Sequence, residues 1–166
     1  MVYTLGHSNL SIDEFLNILN SYNINLIIDV RSMPGSNKFP HFNKENLEKL
    51  INYKHLPSLE GRRQNKYKDI NNFWENKSFR NYANYAHFSD DFSLGIKEII
   101  NLSKKYNIGI MCSEALWWRC HRRIITDYLI INDITVYHIF NKSKKIKASL
   151  NNNAFIFNDK IIYKRN

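Results

Sequence analysis

Apolar residues along the chain follow two rhythms, a strand-like run and a helical spacing, and the switches between them outline the fold. Val2–Leu5 is a short apolar run ending in Gly6-His7-Ser8, which predicts a first strand and a turn. Ser11-Ile12-Asp13-Glu14 has the form of a capping box. Ile12, Phe15, Leu16 and Leu19 then recur at helical spacing. Asn25–Val30 is a compact buried-strand pattern that ends on Asp29, Val30 and Arg31. Strand, helix and strand within about 30 residues predict a βαβ unit with parallel pairing.

Residues 32–90 break this rhythm. They hold Pro34, Pro40 and Pro57, Gly35 and Gly61, and many aromatics. A short helix is predicted around Lys44–Asn52 and another around Lys77–Ala86, with His55–Arg63 as a loop between them. A long insertion between core strands is where binding function concentrates. The core rhythm resumes with an amphipathic helix over Asp90–Tyr106, a strand over Ile108–Cys112, a helix over Arg119–Ile131 and a strand over Ile134–Ile139. An Asn158-Asp159 turn between Ala154–Phe157 and Lys160–Tyr163 predicts a hairpin. The expected architecture is α/β: a single Rossmann-like domain with a mainly parallel sheet, a helical and loop insertion at about 32–90, and a basic C-terminal hairpin. Residues 1–140 would form the α/β domain and 141–166 a basic extension.

Composition narrows the class. A chain of 166 residues with 43% hydrophobic content builds a real core and is not a disordered tail. Two cysteines are too few for a disulfide scaffold, and a reducing interior is the default. The N-terminus lacks the apolar stretch of a signal peptide. No apolar run approaches the roughly 20 residues that span a bilayer. The expectation is a cytoplasmic protein without a membrane partner. The formal charge of +9 points to an anionic partner, of which nucleic acid is the commonest, with DNA favoured. From Asn141 onward seven cations face only Asp159, so +6 of that charge lies in the tail. Lys142, Lys144, Lys145 and Lys147 are candidate nucleic-acid contacts, although a solvated surface in a Lys/Asn-rich chain has the same composition.

The chemistry concentrates in residues 110–123, which contain both cysteines together with Glu114, Arg119, His121, Arg122 and Arg123. A strand hands over to a helix there, which is where ligands bind in α/β proteins. Cys112 ends the strand, and the helix N-terminus and nearby arginines would stabilise its thiolate, although free cysteine also packs as a small hydrophobe. A phosphatase-type or rhodanese-type loop fits poorly. Six residues separate Cys112 from Arg119 where a phosphatase loop needs five, and Ala115, Leu116, Trp117 and Trp118 replace the glycines that would let amides converge on an oxyanion. A zinc deaminase pattern lacks its Cys-x-x-Cys segment. A site from Cys112, Cys120 and His121, or one recruiting His7, is conceivable, but no metal or cofactor is expected. Glu114 and Asp29 are candidate acids or bases at strand ends, or else ion-pair partners of a nearby arginine. Arg31, Arg62, Arg119 and Arg122 could hold phosphate or carboxylate. Trp117 and Trp118, flanked by arginine, could stack a base or simply pack. Ser8, His7 and His55 sit in or beside turns and join the candidate substrate contacts.

Several of these motifs occur together in one known family. Gly6-His7-Ser8, Asp29-Val30-Arg31, Phe42-Asn43, Tyr53 to Pro57, Gly61-Arg62, Phe79 with Tyr82, and Met111-Cys112-Ser113-Glu114 followed by Cys120-His121-Arg122-Arg123 resemble the domain of unknown function 488 family over roughly residues 2–140. The family often has Gly-Gly-Arg where this chain has Glu60-Gly61-Arg62, and the Lys/Asn tail lies outside the shared part. The resemblance implies a single Rossmann-like domain and a pocket built from these motifs. It supplies no reaction.

Three functions compete. The first is an enzyme processing a base or nucleotide within nucleic acid, such as a DNA glycosylase-like repair activity, with Asp29 or Glu114 activating water and arginines holding phosphates. The second is a thiol enzyme on a small molecule with Cys112 as nucleophile and His121 beside it. The third is a nucleic-acid-binding module without chemistry, carried by the 142–147 lysines.

Overall fold

The computed structural model describes residues 1–35 and 38–165. The apolar runs form a six-stranded sheet from β1 (Val2–Gly6), β2 (Leu26–Asp29), β3 (Tyr53–His55), β4 (Ile108–Cys112), β5 (Val136–Asn141) and β6 (Lys144–Lys147), in the order β3-β2-β4-β1-β5-β6. The first five named pair in parallel, and β6 returns antiparallel to β5. The connections are α1 (Ile12–Ser21), α2 (Lys44–Leu50), α3 (Lys77–Phe88), α4 (Asp90–Ser103) and α5 (Arg122–Ile130). The mainly parallel α/β architecture read from the sequence is therefore the observed one.

Alternate residues of the central strands feed two separate cores, because successive side chains on a strand point to opposite faces. Val2, Ile28 and Ile110 join Phe92, Ile96, Ile99 and Leu129 on one face. Tyr3, Ile27 and Met111 join Phe15, Ile18, Leu19 and Leu47 on the other. Burial on both faces explains the near-continuous apolar runs. The capping box forms: Ser11 Oγ accepts from Glu14 N at 3.1 Å, and Glu14 Oε1 accepts from Ser11 N at 3.0 Å. Register matters most for function. Gly6 lies opposite Cys112, and Asp29 lies opposite Met111 on one side and His55 on the other. The carboxyl ends of β1, β2 and β4 thus finish at one level and present their following loops to a common edge.

Several boundaries differ from the sequence expectation. Tyr53–His55, at the start of the expected loop, pairs as β3. Its Tyr-Lys-His sequence has no apolar run to announce a strand, and the backbone ladder to β2 defines it. The helix expected from Arg119 starts at Arg122, after a 3₁₀ turn over Trp117–Arg119. Lys144–Lys147 forms β6 with all four residues exposed, so it carried no hydrophobic signature.

The expected hairpin forms as β7 (Ala154–Phe157) and β8 (Lys160–Tyr163). Ile161 and Tyr163 of β8 are buried in the same core as α3–α5, so this end of the chain completes the domain's packing. The Tyr163 hydroxyl donates to Asp127 Oδ2 at 2.7 Å, and Asn151 N donates to Oδ1 at 3.2 Å. Burial raises the Asp127 pKa to about 6 against those bonds. A raised carboxyl pKa favours the protonated folded state. Its contribution is full below about pH 4 and is lost as pH rises through about 6, on the order of 3 kcal/mol. Asp127→Asn keeps an acceptor for Asn151 N–H and lets the tyrosine hydroxyl turn round. The difference in melting temperature between wild type and Asp127→Asn is expected to change steeply between pH 4 and 6. A pH-independent difference would show that Asp127 titrates normally. No helix among the described residues is long and apolar enough to cross a membrane.

Candidate active site: a thiol-bearing cleft at the strand ends

A cleft of about 1010 Å³ opens beyond the carboxyl ends of β1, β2 and β4. Its walls come from His7–Asn9, Arg31–Met33, Gly61 and Arg62, Ser78 and Phe79, Cys112–Ala115 and Trp118–His121. This is the crevice where parallel α/β sheets bind ligands. The pairing of β1 with β4 continues past both strands: His7 N donates to Cys112 O and Ser8 N to Ser113 O, each at 2.9 Å. The two loops lie so close that a Cβ on Gly6 would sit 1.8 Å from the Glu114 carbonyl oxygen, so only glycine fits. Ser8 is held at φ 46°, a left-handed conformation uncommon for a serine.

Two thiols form the floor. Cys112 ends β4, Cys120 follows the 3₁₀ turn, and their sulfurs lie within 4.8 Å of one another and of a His121 ring nitrogen. Cys120 Sγ accepts from Arg122 N at 3.5 Å and Arg122 Nε at 3.3 Å. Arg122 is 1% exposed. Its Nη2 donates to the Glu114 carbonyl at 2.5 Å, and among the described residues no carboxylate lies within ion-pair distance of it. A buried guanidinium needs a counter-anion. The Cys120 thiolate is the group placed to serve. Burial pushes the Cys120 pKa up, but the neighbouring Cys112 thiol and Arg122 outweigh it and bring the pKa down to about 6. The neighbouring Cys120, followed by burial, pushes Cys112 well up.

The two cysteines therefore differ: Cys120 is the thiol held towards its thiolate, and Cys112, the expected nucleophile, is held protonated. Helix α5 begins at Arg122, so Cys120 is the cysteine beside its positive end. The sequence signal was the Cys-x-Arg spacing of Cys120 and Arg122, read as a substrate-binding arginine and an unassigned thiol.

His121 Nε2 donates to the Val30 carbonyl at 3.1 Å, which fixes the proton on that nitrogen and leaves Nδ1 facing Cys120 Sγ at 3.7 Å. Burial lowers its pKa, so it is neutral at pH 7. Its ring packs edge-on against Tyr82 with centroids 5.0 Å apart. A Cβ on Gly61 would stand 2.6 Å from Nδ1. Gly61→Ala is expected to displace the imidazole, slow alkylation of Cys120 several-fold and cost about 1–3 kcal/mol. Thiol labelling and thermal melts on the same variant measure both.

Asp29, expected as a catalytic acid or base, is fully buried and spent on structure. It accepts from Arg31 Nε at 3.0 Å, Arg31 Nη2 at 2.8 Å, Arg31 N at 3.0 Å and the Tyr53 hydroxyl. No lone pair is left for water. Arg31 lines the cleft, but its guanidinium is equally committed, to Asp29, to Phe42 O at 2.8 Å and to His7 Nε2 at 3.3 Å. His7 Nδ1 donates to Ser8 O at 2.8 Å, and the ring stacks on Phe42 at 4.4 Å. Burial lowers the His7 pKa to about 4, with Arg31 adding to the effect, so His7 is neutral at pH 7. His55 lies behind this wall, donating from Nε2 to Arg31 O at 2.9 Å, and does not line the cleft.

The rim is more open. Arg62, Arg119 and Trp118 line it and are exposed, Trp118 by 41%. Glu114 faces the cleft with Oε1 accepting from Leu116 N at 3.1 Å. Trp117 departs from expectation. It stacks flat on His138 at 4.4 Å and lines a separate cleft of about 290 Å³ with Arg123 and Asp127. Arg122 departs too: its burial makes it a partner of Cys120, not of substrate. Lys142, Lys144, Lys145 and Lys147 lie in and before β6 and line neither cleft. Lys145 Nζ instead lies 4.6 Å from the Tyr137 ring centroid. Cys112, Cys120 and His121 are also the described residues spaced to hold a thiophilic cation such as Zn²⁺. The neighbouring Arg122 charge opposes one.

Fold and cleft define the class: an α/β protein with a mainly parallel sheet and a polar, thiol-bearing crevice at the strand ends. The chain belongs to the family described as Domain of unknown function DUF488, whose profile matches residues 11–129. No curated protein and no solved structure matches it.

Proposed function

We propose that this chain is a thiol-dependent enzyme with Cys120 as nucleophile, acting on an anionic molecule held in the cleft. The observation that carries the reading is the pair of donors on Cys120 Sγ, the Arg122 N–H and Arg122 Nε, beside a second thiol at the floor of an open crevice. Arg62 and Arg119 on the rim would meet the anionic group of the substrate. Alkylation with iodoacetamide, read by peptide mass spectrometry across pH, tests it. Labelling of Cys120 is expected to rise as pH rises through about 6, while Cys112 stays unlabelled until strongly alkaline pH. Cys120→Ser should abolish the fast phase. A single slow phase with the midpoint of a free thiol, about pH 8.5, would remove the reading.

Trp118 favours a second reading. An exposed indole on the rim beside Arg119, with the Glu114 carboxylate inside the cleft, suits a base extruded from nucleic acid. In a DNA glycosylase-like reaction Glu114, and not Asp29, would be the acid or base. Duplexes carrying deaminated or alkylated bases, resolved on gels, test it against Glu114→Gln, and intact duplexes with every lesion despite binding would end it. The β6 lysines would then hold phosphates on a separate face, with affinity that falls with salt. Free thiols at the cleft floor suit the reducing cytoplasm.

A further inference from the structure

Cys112 has no part in a one-thiol mechanism, yet its sulfur lies within 4.8 Å of the Cys120 sulfur. We propose that Cys120 and Cys112 are an attacking and a resolving thiol, and that the substrate is an anionic low-molecular-mass disulfide. This rests on the thiol reading above and names its substrate class.

Three observations carry it. The two sulfurs lie within 4.8 Å of one another, and both residues line the one cleft. Each cysteine is held in place: Cys112 by the ladder to Gly6, and Cys120 by its amide, which donates to Trp117 O at 3.2 Å. Thiol–disulfide exchange needs a second thiol beside the first, and Cys112 occupies that position. A cleft of about 1010 Å³ has room for two linked thiol compounds, and Arg62 and Arg119 on its rim select carboxylates.

The exchange balances. The Cys120 thiolate attacks one sulfur of the substrate; the Cys120–SR bond forms, the substrate S–S bond breaks and RS⁻ leaves. Cys112 passes its proton to that RS⁻ and attacks Cys120 Sγ. The Cys112–Cys120 bond forms, the Cys120–SR bond breaks and a second RS⁻ leaves. Two electrons pass from the dithiol to the substrate, released as one RSH and one RS⁻.

The test treats the full reduced chain with 5,5′-dithiobis(2-nitrobenzoate), an anionic aromatic disulfide whose leaving thiolate absorbs visibly. Wild type is expected to release two thiolates per chain and finish lighter by two hydrogens, with no adduct. Cys112→Ser should release one and keep the adduct on Cys120, with Cys112→Ala as a second variant should the serine unfold the site. Cys120→Ser should react about 100-fold more slowly. An uncharged disulfide of similar size should react at least about 10-fold more slowly, and that gap should close in the Arg62→Ala, Arg119→Ala double variant. Stable adducts on both cysteines of wild type would overturn the resolving pair while leaving Cys120 as a nucleophile. Equal rates with the uncharged disulfide would overturn the anionic class. Cys120 reacting no faster than an unstructured thiol would overturn both this inference and the reading beneath it.

Discussion

Asp29→Ala is expected to destabilise the protein by about 3–5 kcal/mol, because it strands a buried guanidinium without its counter-charge. Asp29 and Arg31 are 0% and 5% exposed, and their shortest contact is 2.8 Å. Removing the carboxylate leaves Arg31 with the Phe42 carbonyl and the His7 imidazole, neither of them charged at pH 7. It also leaves the Tyr53 hydroxyl without its acceptor. Asp29→Asn keeps one oxygen for these donors and should cost less. Pairing Asp29→Ala with Arg31→Met should recover part of the loss, because the double variant buries no unpaired charge. Denaturant melts on the four proteins give the coupling. The experiment also separates structure from chemistry. A wall residue makes activity follow the folded fraction, so Asp29→Asn under stabilising conditions works normally. A catalytic base would lose turnover with the fold intact.

The fold was legible where one physical signal ran unopposed. The apolar runs at Val2–Leu5, Asn25–Val30 and Ile108–Cys112 mark strands buried on both faces, and Ser11 with Glu14 announced its helix by a capping interaction that forms. Strands β3 and β6 were illegible for the converse reason. Tyr53–His55 and Lys144–Lys147 are edge strands without a buried apolar face, held by backbone ladders that any sequence can supply. In the site, residue types were readable and roles were not. The motifs at His7, Arg31, Gly61 and Cys112–His121 do converge on one cleft. Whether a carboxylate there is a base or half of an ion pair depends on what faces it across the sheet. Asp29 opposes His55 in register and meets Arg31 two residues on, a pairing set by where the strand stops. The electrostatic difference between the cysteines was not legible because α5 starts three residues later than its pattern, which moves the helix end from Cys112 towards Cys120. Trp117 and Trp118 part company for a local reason. The 3₁₀ turn sends one onto His138 and the other to the rim, set perpendicular to each other.

Arg122→Met should slow alkylation of Cys120 at pH 7 by up to about 30-fold, the limit in which the thiol pKa goes from about 6 back to the roughly 8.5 of a free cysteine and only a few per cent of thiolate is left at that pH. The sign follows from the charges. The Arg122 guanidinium donates to Cys120 Sγ through Nε and stabilises the anion alone, while the backbone amide bond survives the substitution. Its removal raises the thiol pKa and leaves the protonated form untouched. The loss should therefore shrink as pH rises and vanish above about pH 9.5, where both proteins are fully ionised. A variant damaged by misfolding would stay slow at every pH, so the profile discriminates between the causes. Methionine fills most of the arginine volume and buries no charge. The cost in stability should thus be smaller than for Asp29→Ala, arising from the lost bonds from Nη2 to the Glu114 carbonyl and from Nε to Cys120 Sγ. Arg122→Lys places a charge near the sulfur without the guanidinium's paired geometry and should fall between the two. Substitution of Arg62 offers the contrasting case. It is exposed and its guanidinium donates to Met33 Sδ, not to a cysteine sulfur, so Arg62→Ala should weaken capture of an anionic disulfide while leaving iodoacetamide labelling, and hence the thiolate, unchanged.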